Sequence, residues 1–475
     1  MKQSSKSPLE IIVLAAGQGT RMNSSLPKVL HTLAGRPLLA HVLDSAMQLN
    51  PQRIHVVVGY MGEAVREAIQ ATNPGLEVNW VEQNEQLGTG HAAAQALAAV
   101  ADDAAVLVAF GDVPLITTQT LQNCVDKAQQ GGLALVTAEF PDPAELGRIL
   151  RDGAGAIQGI VEFKDANAEQ RAIAEINSGI LAAAPGVLQS LLPQVRRRNA
   201  QGEYYLTDVV ALAVTGDMVV YGLKACCNEE VAGVNDRIQL AELERIYQLE
   251  RARALMRSGV TIADPGRLDI RGEVSAGIDC FIDVNVLLEG RVVLGERVIV
   301  GPGAVIRDTE LGDGVRVEAH TVIDGALVAA GCVLGPFARI RPGTELGPGV
   351  KIGNFVETKK AIIGAGSKAN HLSYLGDATV GEGCNLGAGT ITCNYDGIDK
   401  HQTIIGDGVF VGTNATLVAP LVIEDGAYIG AGSTITSKVG KGELAVGRGR
   451  QRNVQGWVRP DKRKAQNKAE LKVKK

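Results

Sequence analysis

A glycine-rich loop follows the first apolar run of the chain and carries two cations. The run IIVL leads into LAAGQGTRM (residues 14–22), which contains Arg21, and Lys28 follows shortly after. Glycines let backbone amides donate hydrogen bonds to phosphate oxygens, and the two side chains add positive charge. A dinucleotide-binding loop would carry a third glycine where Met22 stands. The pattern favours a nucleoside triphosphate, with an ordinary strand-to-helix turn as the alternative.

Asp112 could hold a metal ion because of its place in the chain. It lies in a Gly-Asp turn directly after the apolar run Val106–Phe110, which is typical of a buried strand. A carboxylate at the carboxyl end of such a strand is well placed to bind Mg²⁺. Capping of the following turn is the alternative role for this aspartate.

These residues need a sheet to position them, and residues 1–235 have the pattern of one. Short runs rich in β-branched residues alternate with helical stretches; three of them are residues 54–59, 106–110 and 133–137. Such runs are typical of strands buried on both faces. The sequence therefore predicts an α/β, Rossmann-like domain with a mostly parallel sheet.

A long helix is predicted to connect this domain to the rest of the chain. Residues 236–259 place Leu240, Leu243, Tyr247 and Ala254 at roughly helical spacing among charged residues. A glycine at position 259 would end the helix. The first domain would therefore end near residue 235.

Beyond residue 260 the chain changes character, because aliphatic residues recur about every six positions. They are Leu294, Val300, Ile306, Leu311, Val317, Ile323, Val328, Leu334, Ile340, Leu346 and Ile352, then Ile405, Val411, Leu417, Ile423, Ile429 and Ile435. A period of six fits no amphipathic helix of period 3.6. It is the hexapeptide signature of a parallel β-helix, in which each aliphatic side chain fills a narrow axial core.

The repeat has two gaps, one between Ile363 and Val380 and one between Thr392 and Ile405. The first contains SKANHLSYLGDA, with His371, and the second contains CNYDGIDKHQ. Residues outside the repeat need not fill the core, so we expect function to concentrate in these segments.

A zinc site is one competing interpretation of this half of the chain. The histidines His320, His371 and His401 are 51 and 30 residues apart and include no close pair of ligands, which argues against zinc. A covalent acyl-cysteine at Cys384 or Cys393 is a second alternative. Direct acyl transfer to an amine needs no such intermediate, so both cysteines are expected to be small packing residues.

Composition limits the classes of protein and the compartment. The net charge of −5 does not favour a nucleic-acid partner, although 11 Lys and Arg against 2 Asp and Glu lie from Arg448 onward and predict a basic tail. The polar start MKQSSKSPLE has no apolar signal core, and no segment reaches the ~18 apolar residues of a membrane span. Seven scattered cysteines without CxxC spacing indicate reduced thiols in a cytoplasm.

Several motifs together resemble a known family. The loop LAAGQGTRM followed by PKVL resembles the sugar-phosphate nucleotidyltransferases. Further segments match in order: QNEQLGTGH (83–91), FGDVPL (110–115), GRI (147–149), EFKD (162–165), EINSG (175–179), GEYYLTD (202–208) and GVN (233–235). Over about residues 9–460 the order resembles the bifunctional N-acetylglucosamine-1-phosphate uridylyltransferase and glucosamine-1-phosphate N-acetyltransferase family.

The resemblance implies a uridylyltransferase site in the first domain. The residues implied to bind UTP or UDP-N-acetylglucosamine are Leu14, Ala15, Ala16, Gly17, Lys28, Gln83, Gly88, Thr89, Phe110, Gly111, Asp112, Gly147, Glu162, Asn177 and Asn235. Gln83, Gly88 and Thr89 would read the uracil. Arg21 and Lys28 would neutralise the triphosphate during catalysis. Asp112 and Asn235 would hold Mg²⁺, and Gly147, Glu162 and Asn177 would receive the sugar. Phe110 stands where related sequences carry Tyr.

The resemblance also implies an acetyltransferase site in the β-helix, carried by ARIRPG (338–343), GNFVETKK (353–360), KANHLSYLGD (368–377) and TITCNYDG (390–397). It makes His371 the general base, a role that imidazole suits near neutral pH. The residues implied to bind glucosamine-1-phosphate are Arg341, Lys359, Tyr374 and Asn385. Those implied to bind acetyl-CoA are Ala388, Asn394, Tyr395, Thr413, Ala431 and Arg448, with Thr413 in place of the expected Ser.

The predicted organisation has four parts: a uridylyltransferase domain (1–235), a linker helix (236–260), a left-handed β-helix acetyltransferase domain (261–450) and a basic tail (451–475). We expect a cytoplasmic homotrimer, assembled through the β-helix, that supplies UDP-N-acetylglucosamine for bacterial envelope polymers. Two rival interpretations remain. One is a single-activity nucleotidyltransferase with a regulatory β-helix, and the other is a β-helix that serves only as a trimerisation scaffold.

Overall fold

The strand that precedes the glycine-rich loop lies inside a seven-stranded sheet. Across the sheet the order is Val220–Lys224, Leu133–Glu139, Glu175–Ala183, Ala105–Phe110, Leu9–Leu14, Arg53–Val58 and Asn79–Glu82. The strands are parallel except Glu175–Ala183, which runs antiparallel to both neighbours. Arg148–Arg151 and Ile157–Val161 form an antiparallel extension. The predicted α/β domain is confirmed, with a mixed sheet in which parallel pairs predominate.

The computed structural model describes residues 7–457, so part of the predicted basic tail lies outside the described residues. The chain divides into two compact units, one up to Val292 and one from Val293. This division separates compact units and does not test where one function ends and the next begins. The predicted functional boundaries at residues 235, 260 and 450 therefore stay predictions. Within residues 7–457 none of the helices combines the length and apolar character that crossing a membrane requires.

Helices cover both faces of the sheet. They are Leu38–Met47, Gly62–Thr72, Thr89–Leu97, Thr118–Ala128, Ala168–Arg171, Val187–Leu191 and Asp208–Thr215, with 3₁₀ turns at Thr20–Met22, Lys28–Leu30, Leu192–Gln194 and Glu229–Val231 and a short hairpin of Thr32–Leu33 and Arg36–Pro37. In the strand Leu9–Leu14, Ile11 and Val13 join one apolar cluster. Ile12 and Leu14 join the cluster on the opposite face. Alternate side chains of one strand thus fill two cores, as expected for a strand covered on both sides.

The predicted connecting helix is present at Arg237–Arg257. Asp236 caps it by accepting hydrogen bonds from the backbone amides of its first turn. Of the four residues at helical spacing, Leu243 is buried and Ala254 is exposed, and Gln248 and Ala252 are also buried. Gln248 is buried because its amide bonds both the N–H and the C=O of Ile270, at 2.7 and 3.0 Å. A pattern of apolar residues does not reveal such a polar contact.

The hexapeptide region forms a left-handed parallel β-helix. Its strands within the first unit are Thr261–Ile262, Leu268–Ala276 and Phe281–Ile282, after which Val286–Leu294 crosses the division. In the second unit they are Ile299–Val300, Val305–Leu311, Arg316–Val317, Val322–Asp324, Ala326–Val328, Val333–Leu334, Arg339–Ile340, Thr344–Leu346, Lys351–Asn354, Glu357–Ile363, Lys368–His371, Tyr374–Val380, Asn385–Leu386, Ile391–Cys393, Thr403–Ile405, Phe410–Val411, Thr416–Val418, Leu421–Ile423, Tyr428–Ile429, Thr434–Ile435 and Leu444–Ala445. Every aliphatic residue of the predicted repeat is buried, which confirms the predicted core.

Only one of the two predicted gaps interrupts the coil. Between Ile363 and Val380 the repeat continues through Ala369 and Leu375, which are both buried. The prediction of a gap there was wrong, because the small alanine side chain was not recognised as a core position. The segment after Thr392 is a true excursion, which leaves the coil and returns at the strand Thr403–Ile405.

Candidate active sites

The glycine-rich loop leaves the sheet beside the turn that carries Asp112. Leu14 and Phe110 are register partners at the ends of adjacent parallel strands, and the amide of Gly111 donates to the Leu14 carbonyl at 3.0 Å. At Gly19 the loop passes close to the side chain of Lys28. That glycine has φ +68°, and an added Cβ would lie 2.5 Å from the Lys28 Cβ. Glycine therefore lets the loop lie directly against the lysine.

Lys28 links the two predicted metal ligands. Its ammonium group hydrogen-bonds Oδ2 of Asp112 and lies 3.1 Å from Oδ1 of Asn235. The side chains of Lys28 and Asp112 are only 15% and 16% exposed. Two oxygens from distant parts of the chain thus converge on one positive charge. Carboxylate and amide oxygens are ligands that Mg²⁺ accepts, and Mg²⁺ takes its other ligands from water and phosphate, so the residues fit this ion.

The predicted uracil-reading residues lie beside a cavity of about 430 Å³. Gln83 is almost fully buried, and its Nε2 donates to the Gly88 carbonyl at 3.2 Å. Gly88 has φ +109°, and an added Cβ would lie 2.6 Å from the Tyr204 carbonyl oxygen. The cavity is lined by the predicted residues Leu14, Ala15, Ala16, Gly17, Lys28, Gln83, Gly88, Thr89, Phe110, Asp112 and Asn235. Residues spread over more than 200 positions therefore face one space.

The predicted sugar residues line an adjoining cavity of about 240 Å³. Gly147, Glu162 and Asn177 lie there together. The backbone N–H of Asn177 donates to the Gly147 carbonyl at 2.9 Å. Oε1 of Glu162 accepts from the Thr207 hydroxyl at 2.9 Å. Burial raises the pKa of Glu162, and the hydrogen bond from Thr207 opposes that shift. Phe110 lines this cavity and the uracil cavity, so the two form parts of one cleft.

Arg21 lies further out along the same cleft. It lines a third cavity, of about 630 Å³, together with Asp112 and Asn235. Its side chain is 63% exposed, and its guanidinium lies 3.7 Å from the Glu145 carboxylate. An exposed ion pair of this kind is weak, so Arg21 can turn from Glu145 toward an anionic ligand at small cost.

In the second unit, His371 has a defined partner. Its Nδ1 lies 3.0 Å from Oδ1 of Asn354, the residue that pairs with it on the adjacent strand. An amide oxygen can only accept, so Nδ1 carries the proton and Nε2 is left as the basic atom.

The other two histidines also have partners that are not metals. The His320 ring stacks on Phe337 with centroids 5.2 Å apart, and the His401 Nε2 lies 2.7 Å from Oδ2 of Asp396. Across residues 7–457 no group of three or more His, Cys, Asp or Glu side chains is arranged to hold a metal ion. The zinc interpretation therefore gains no support.

Four of the six predicted acetyl-CoA residues, Ala388, Thr413, Ala431 and Arg448, form a ladder, one per coil, that starts at the backbone of His371. The Gly389 amide, next to Ala388, donates to the His371 carbonyl at 3.3 Å, and the Asn414 amide, next to Thr413, donates to Ala388 at 2.7 Å. In the coils that follow, the Gly432 amide donates to Thr413 at 2.7 Å, and Arg448 Nη1 donates to the Ala431 carbonyl at 2.5 Å. Asn385, on the strand paired with Lys368–His371, lies in the first of these coils. The ladder thus runs from the backbone carbonyl of His371 to an arginine.

A second group of predicted residues surrounds Asp377. Its Oδ2 lies 3.7 Å from Lys359 Nζ and accepts a hydrogen bond from Nδ2 of Asn394. Lys400 lies beside Lys359, whose side-chain hydrogen bond and positive charge lower the Lys400 pKa. Two ammonium groups therefore crowd one small region, which suits a phosphate.

Tyr374 lies on the strand that carries Asp377, and Arg341 directly follows the strand Arg339–Ile340, which pairs with the strand of Lys359. Arg341 donates to Glu357 at 2.7 Å, and Tyr374 pairs with that glutamate in the next coil. The Tyr374 hydroxyl lies over Gly376, whose added Cβ would be 2.3 Å from it. Tyr395 is apart from them, 60% exposed in the excursion after Thr392.

For Cys384, one of the two cysteines considered, the acyl-cysteine alternative finds no support in the structure. Burial raises the pKa of the Cys384 thiol, and the sulfur donates to the Gly406 carbonyl at 3.0 Å. A thiol that is buried and protonated is a poor nucleophile. Cys384 is therefore a packing residue.

Sequence reasoning missed three residues that hold predicted site residues in place: His91, Asn354 and Asp377. Each lies inside a motif that was recognised, GTGH, GNFVETKK and YLGD, but none received a role. Only their contacts, across 8 to 17 residues, reveal what they do. The signal that the sequence offers for these three residues is that each lies within a recognised motif.

Comparison with known proteins assigns both halves. Residues 11–258 match the family model of the MobA-like NTP transferase domain. Residues 402–437 match the bacterial transferase hexapeptide model, and residues 291–325 match the hexapeptide repeat of succinyl-transferase.

Similar proteins cover almost the whole chain. The "Bifunctional protein GlmU" of Marinobacter nauticus is 55% identical over 456 residues, which is 96% of this chain and 100% of the relative. That of Alkalilimnicola ehrlichii is 55% identical, with 96% and 97% covered. That of Stutzerimonas stutzeri is 54% identical, with 96% and 100% covered. The chain belongs to the GlmU family. The predicted resemblance is confirmed, and GlmU relatives extend across both predicted sites, although no comparison tests the role of a single residue.

Proposed function

We infer that the chain is a bifunctional enzyme of UDP-N-acetylglucosamine synthesis. It transfers acetyl from acetyl-CoA to glucosamine-1-phosphate, then uridylyl from UTP to N-acetylglucosamine-1-phosphate. One observation carries this conclusion: identity of 53–55% to bifunctional GlmU proteins over 96% of the chain, across an NTP transferase domain and a hexapeptide domain. The two candidate sites lie in different compact units, so each reaction has its own set of residues.

For uridylyl transfer, the cleft residues act by positioning and charge. The sugar phosphate oxygen attacks the α-phosphorus of UTP, a new P–O bond forms, and the bond to pyrophosphate breaks. Such a displacement needs in-line alignment and neutralisation more than a base. Lys28 is buried beside the cavity and Arg21 lies at its exposed end, so together they can follow the triphosphate.

A magnesium ion would be held by Asp112 and Asn235, where the Lys28 ammonium now lies. When bound, it supplies charge that stabilises the triphosphate and its leaving group. Lys28 would then turn from the two oxygens toward a phosphate. The convergence of a carboxylate and an amide oxygen on one cation supports this proposal.

For acetyl transfer, Nε2 of His371 removes a proton from the substrate amine as nitrogen attacks the thioester carbonyl. A C–N bond forms, the C–S bond breaks, and the CoA sulfur leaves and is protonated. The Asn354 contact at 3.0 Å keeps Nε2 free of its own proton. Acetyl-CoA would lie along the ladder from Ala388 to Arg448, with Arg448 on its phosphates.

Glucosamine-1-phosphate would bind at the cluster of Lys359, Lys400 and Arg341, with Tyr374 and Asn385 on the sugar. The position of Lys359, 3.7 Å from Asp377 and beside Lys400, supports this placement because it brings two positive charges together. Asp377 would hold Lys359 in position until the phosphate arrives. The cluster and the ladder would face each other across subunits of a homotrimer, and we propose this assembly. The seven free cysteines are consistent with a reducing cytoplasm, which we propose as its setting.

The two activities are tested by measuring each half-reaction alone. H371A should lose acetyl transfer to glucosamine-1-phosphate and keep uridylyl transfer to N-acetylglucosamine-1-phosphate. If H371A acetylates normally, the acetyltransferase assignment to this site fails. If the wild-type protein shows uridylyl transfer alone and binds no acetyl-CoA by calorimetry, the β-helix is a regulatory or trimerising scaffold.

A further inference from the structure

The glutamine that reads the uracil in the proposed function is itself held by a histidine. Nε2 of Gln83 lies 3.0 Å from Nδ1 of His91 and also donates to the Gly88 carbonyl at 3.2 Å. Both hydrogens of the amide nitrogen are therefore engaged. Among the described residues, no protein donor reaches the amide oxygen, and Gln83 lines the cavity of the cleft. That leaves Oε1 as the part of this side chain available to a ligand.

An amide can turn by half a rotation and exchange its oxygen for its nitrogen. In the opposite orientation Oε1 of Gln83 would face two acceptors, the Gly88 carbonyl and an unprotonated Nδ1. With its proton on Nε2, His91 therefore adds to the preference that Gly88 alone would give. Nδ1 accepts only in the tautomer with the proton on Nε2. The amide nitrogen of Gln95 lies 3.2 Å from the His91 Nε2, and because this side chain is exposed it can turn so that its oxygen accepts the Nε2 proton.

The His91 ring is held in place by neighbouring elements. It lies in the first turn of the helix Thr89–Leu97 and stacks on Tyr204 with centroids 6.4 Å apart. The backbone of Tyr204 is joined to the same loop, because the Gly90 amide donates to its carbonyl at 2.8 Å. The orienting contact to Gln83 therefore comes from a ring with little freedom to move.

We propose that His91 is a positioning residue that sets the choice of nucleobase. It fixes Gln83 with Oε1 toward the base, where that oxygen accepts the N3–H of uracil. Cytosine presents a lone pair at N3, so it meets repulsion instead of a hydrogen bond. The enzyme would thus prefer UTP to CTP through a residue that does not touch the nucleotide. This inference rests on the proposed uridylyl transfer.

The test compares UTP with CTP in H91F. Phenylalanine keeps a ring against Tyr204 and removes the acceptor, so the Gln83 amide loses one of its two anchors. We expect the ratio of kcat/KM for UTP to that for CTP to fall about five- to tenfold, the size of one lost hydrogen bond. H91N should restore the ratio, since the asparagine Oδ1 takes the place of Nδ1. Q119L, at an exposed glutamine of the helix Thr118–Ala128 that bonds Asn123 and contacts neither Gln83 nor His91, is the matched control and should change the ratio less than twofold.

The possible outcomes distinguish failure of the His91 role from failure of the proposed uridylyl transfer. No wild-type transfer from UTP to N-acetylglucosamine-1-phosphate would overturn both. Wild-type transfer with an unchanged UTP:CTP ratio in H91F would overturn the role of His91 alone. A wild-type circular dichroism spectrum and melting temperature show that each variant is folded, and retained acetyl transfer shows that the second unit is intact. If H91F is unfolded by these measurements, H91L replaces H91F with the same expected ratio.

Discussion

The Nδ1 atom of His371 lies 3.0 Å from the Oδ1 atom of Asn354, on the adjacent strand of the β-helix. This contact decides which ring nitrogen is basic. Asparagine orients the ring without placing a negative charge beside it, unlike the carboxylate that holds the imidazole in a Ser-His-Asp triad. The proposed base is therefore oriented by a hydrogen bond to a neutral side chain.

Replacing Asn354 tests this relationship. N354L should lower kcat for acetyl transfer about tenfold, because the ring gains freedom to adopt the wrong tautomer. N354D should restore orientation but add a negative charge that favours the protonated imidazole. The acidic limb of its pH–rate profile should then move to higher pH. A profile identical to that of the wild type in N354D would contradict the orienting role, and uridylyl transfer serves as the internal control.

Asp112 should be essential for the first-domain reaction only. D112N keeps the shape of the side chain but removes the charge that would hold Mg²⁺. We expect uridylyl transfer to fall at least about 100-fold, with a higher Mg²⁺ concentration needed for half-maximal rate. Acetyl transfer should be unchanged with and without EDTA. Equal Mg²⁺ dependence in D112N and wild type would argue that the ion binds elsewhere.

Lys359 should determine the affinity for the sugar phosphate. K359M removes one of the two ammonium groups near Asp377 and leaves that carboxylate to repel the phosphate. We expect KM for glucosamine-1-phosphate to rise about tenfold or more, with KM for acetyl-CoA little changed. K438M, at an exposed lysine paired with Glu424, is a matched control and should leave both constants unaltered. A rise in the KM for acetyl-CoA alone would place Lys359 in the other subsite.

Glu162 should make stability depend on pH. Burial raises its pKa above the ordinary 4.5, so the folded state holds this proton more tightly than the unfolded state does. The stability it contributes is complete below the unfolded value and is lost as pH rises through the folded value. Wild-type melting temperature should thus fall relative to E162Q as pH rises above 4.5. A constant difference between the two across this range would falsify the effect of burial.

The periodicity of apolar residues predicted the architecture of both halves of the chain. It predicted individual side-chain contacts less well. Runs of β-branched residues predicted a sheet covered on both faces. Aliphatic residues six apart predicted a β-helix, and the burial of these residues confirms that prediction. The failures were local. Ala369 was missed because its side chain is small, and Gln248 because a buried amide interrupts an apolar seam. Neither position carries the hydrophobic signal on which such a prediction depends.

The candidate sites depended on motifs rather than on periodicity. The resemblance named residues such as Gln83 and Lys359 because they stand in recognisable order. It gave no role to His91 or Asp377, which act on those residues through space. A hydrogen-bond partner many positions away depends on the fold, so its role emerges only when the strands are paired.

A coupled assay tests the central claim most directly. The full-length protein is supplied with glucosamine-1-phosphate, acetyl-CoA, UTP and Mg²⁺, and UDP-N-acetylglucosamine is followed by chromatography. We predict that the product forms, that H371A forms it only when N-acetylglucosamine-1-phosphate is supplied, and that D112N accumulates N-acetylglucosamine-1-phosphate. Absence of the product with wild-type protein, or its undiminished formation by H371A from glucosamine-1-phosphate, would contradict the account.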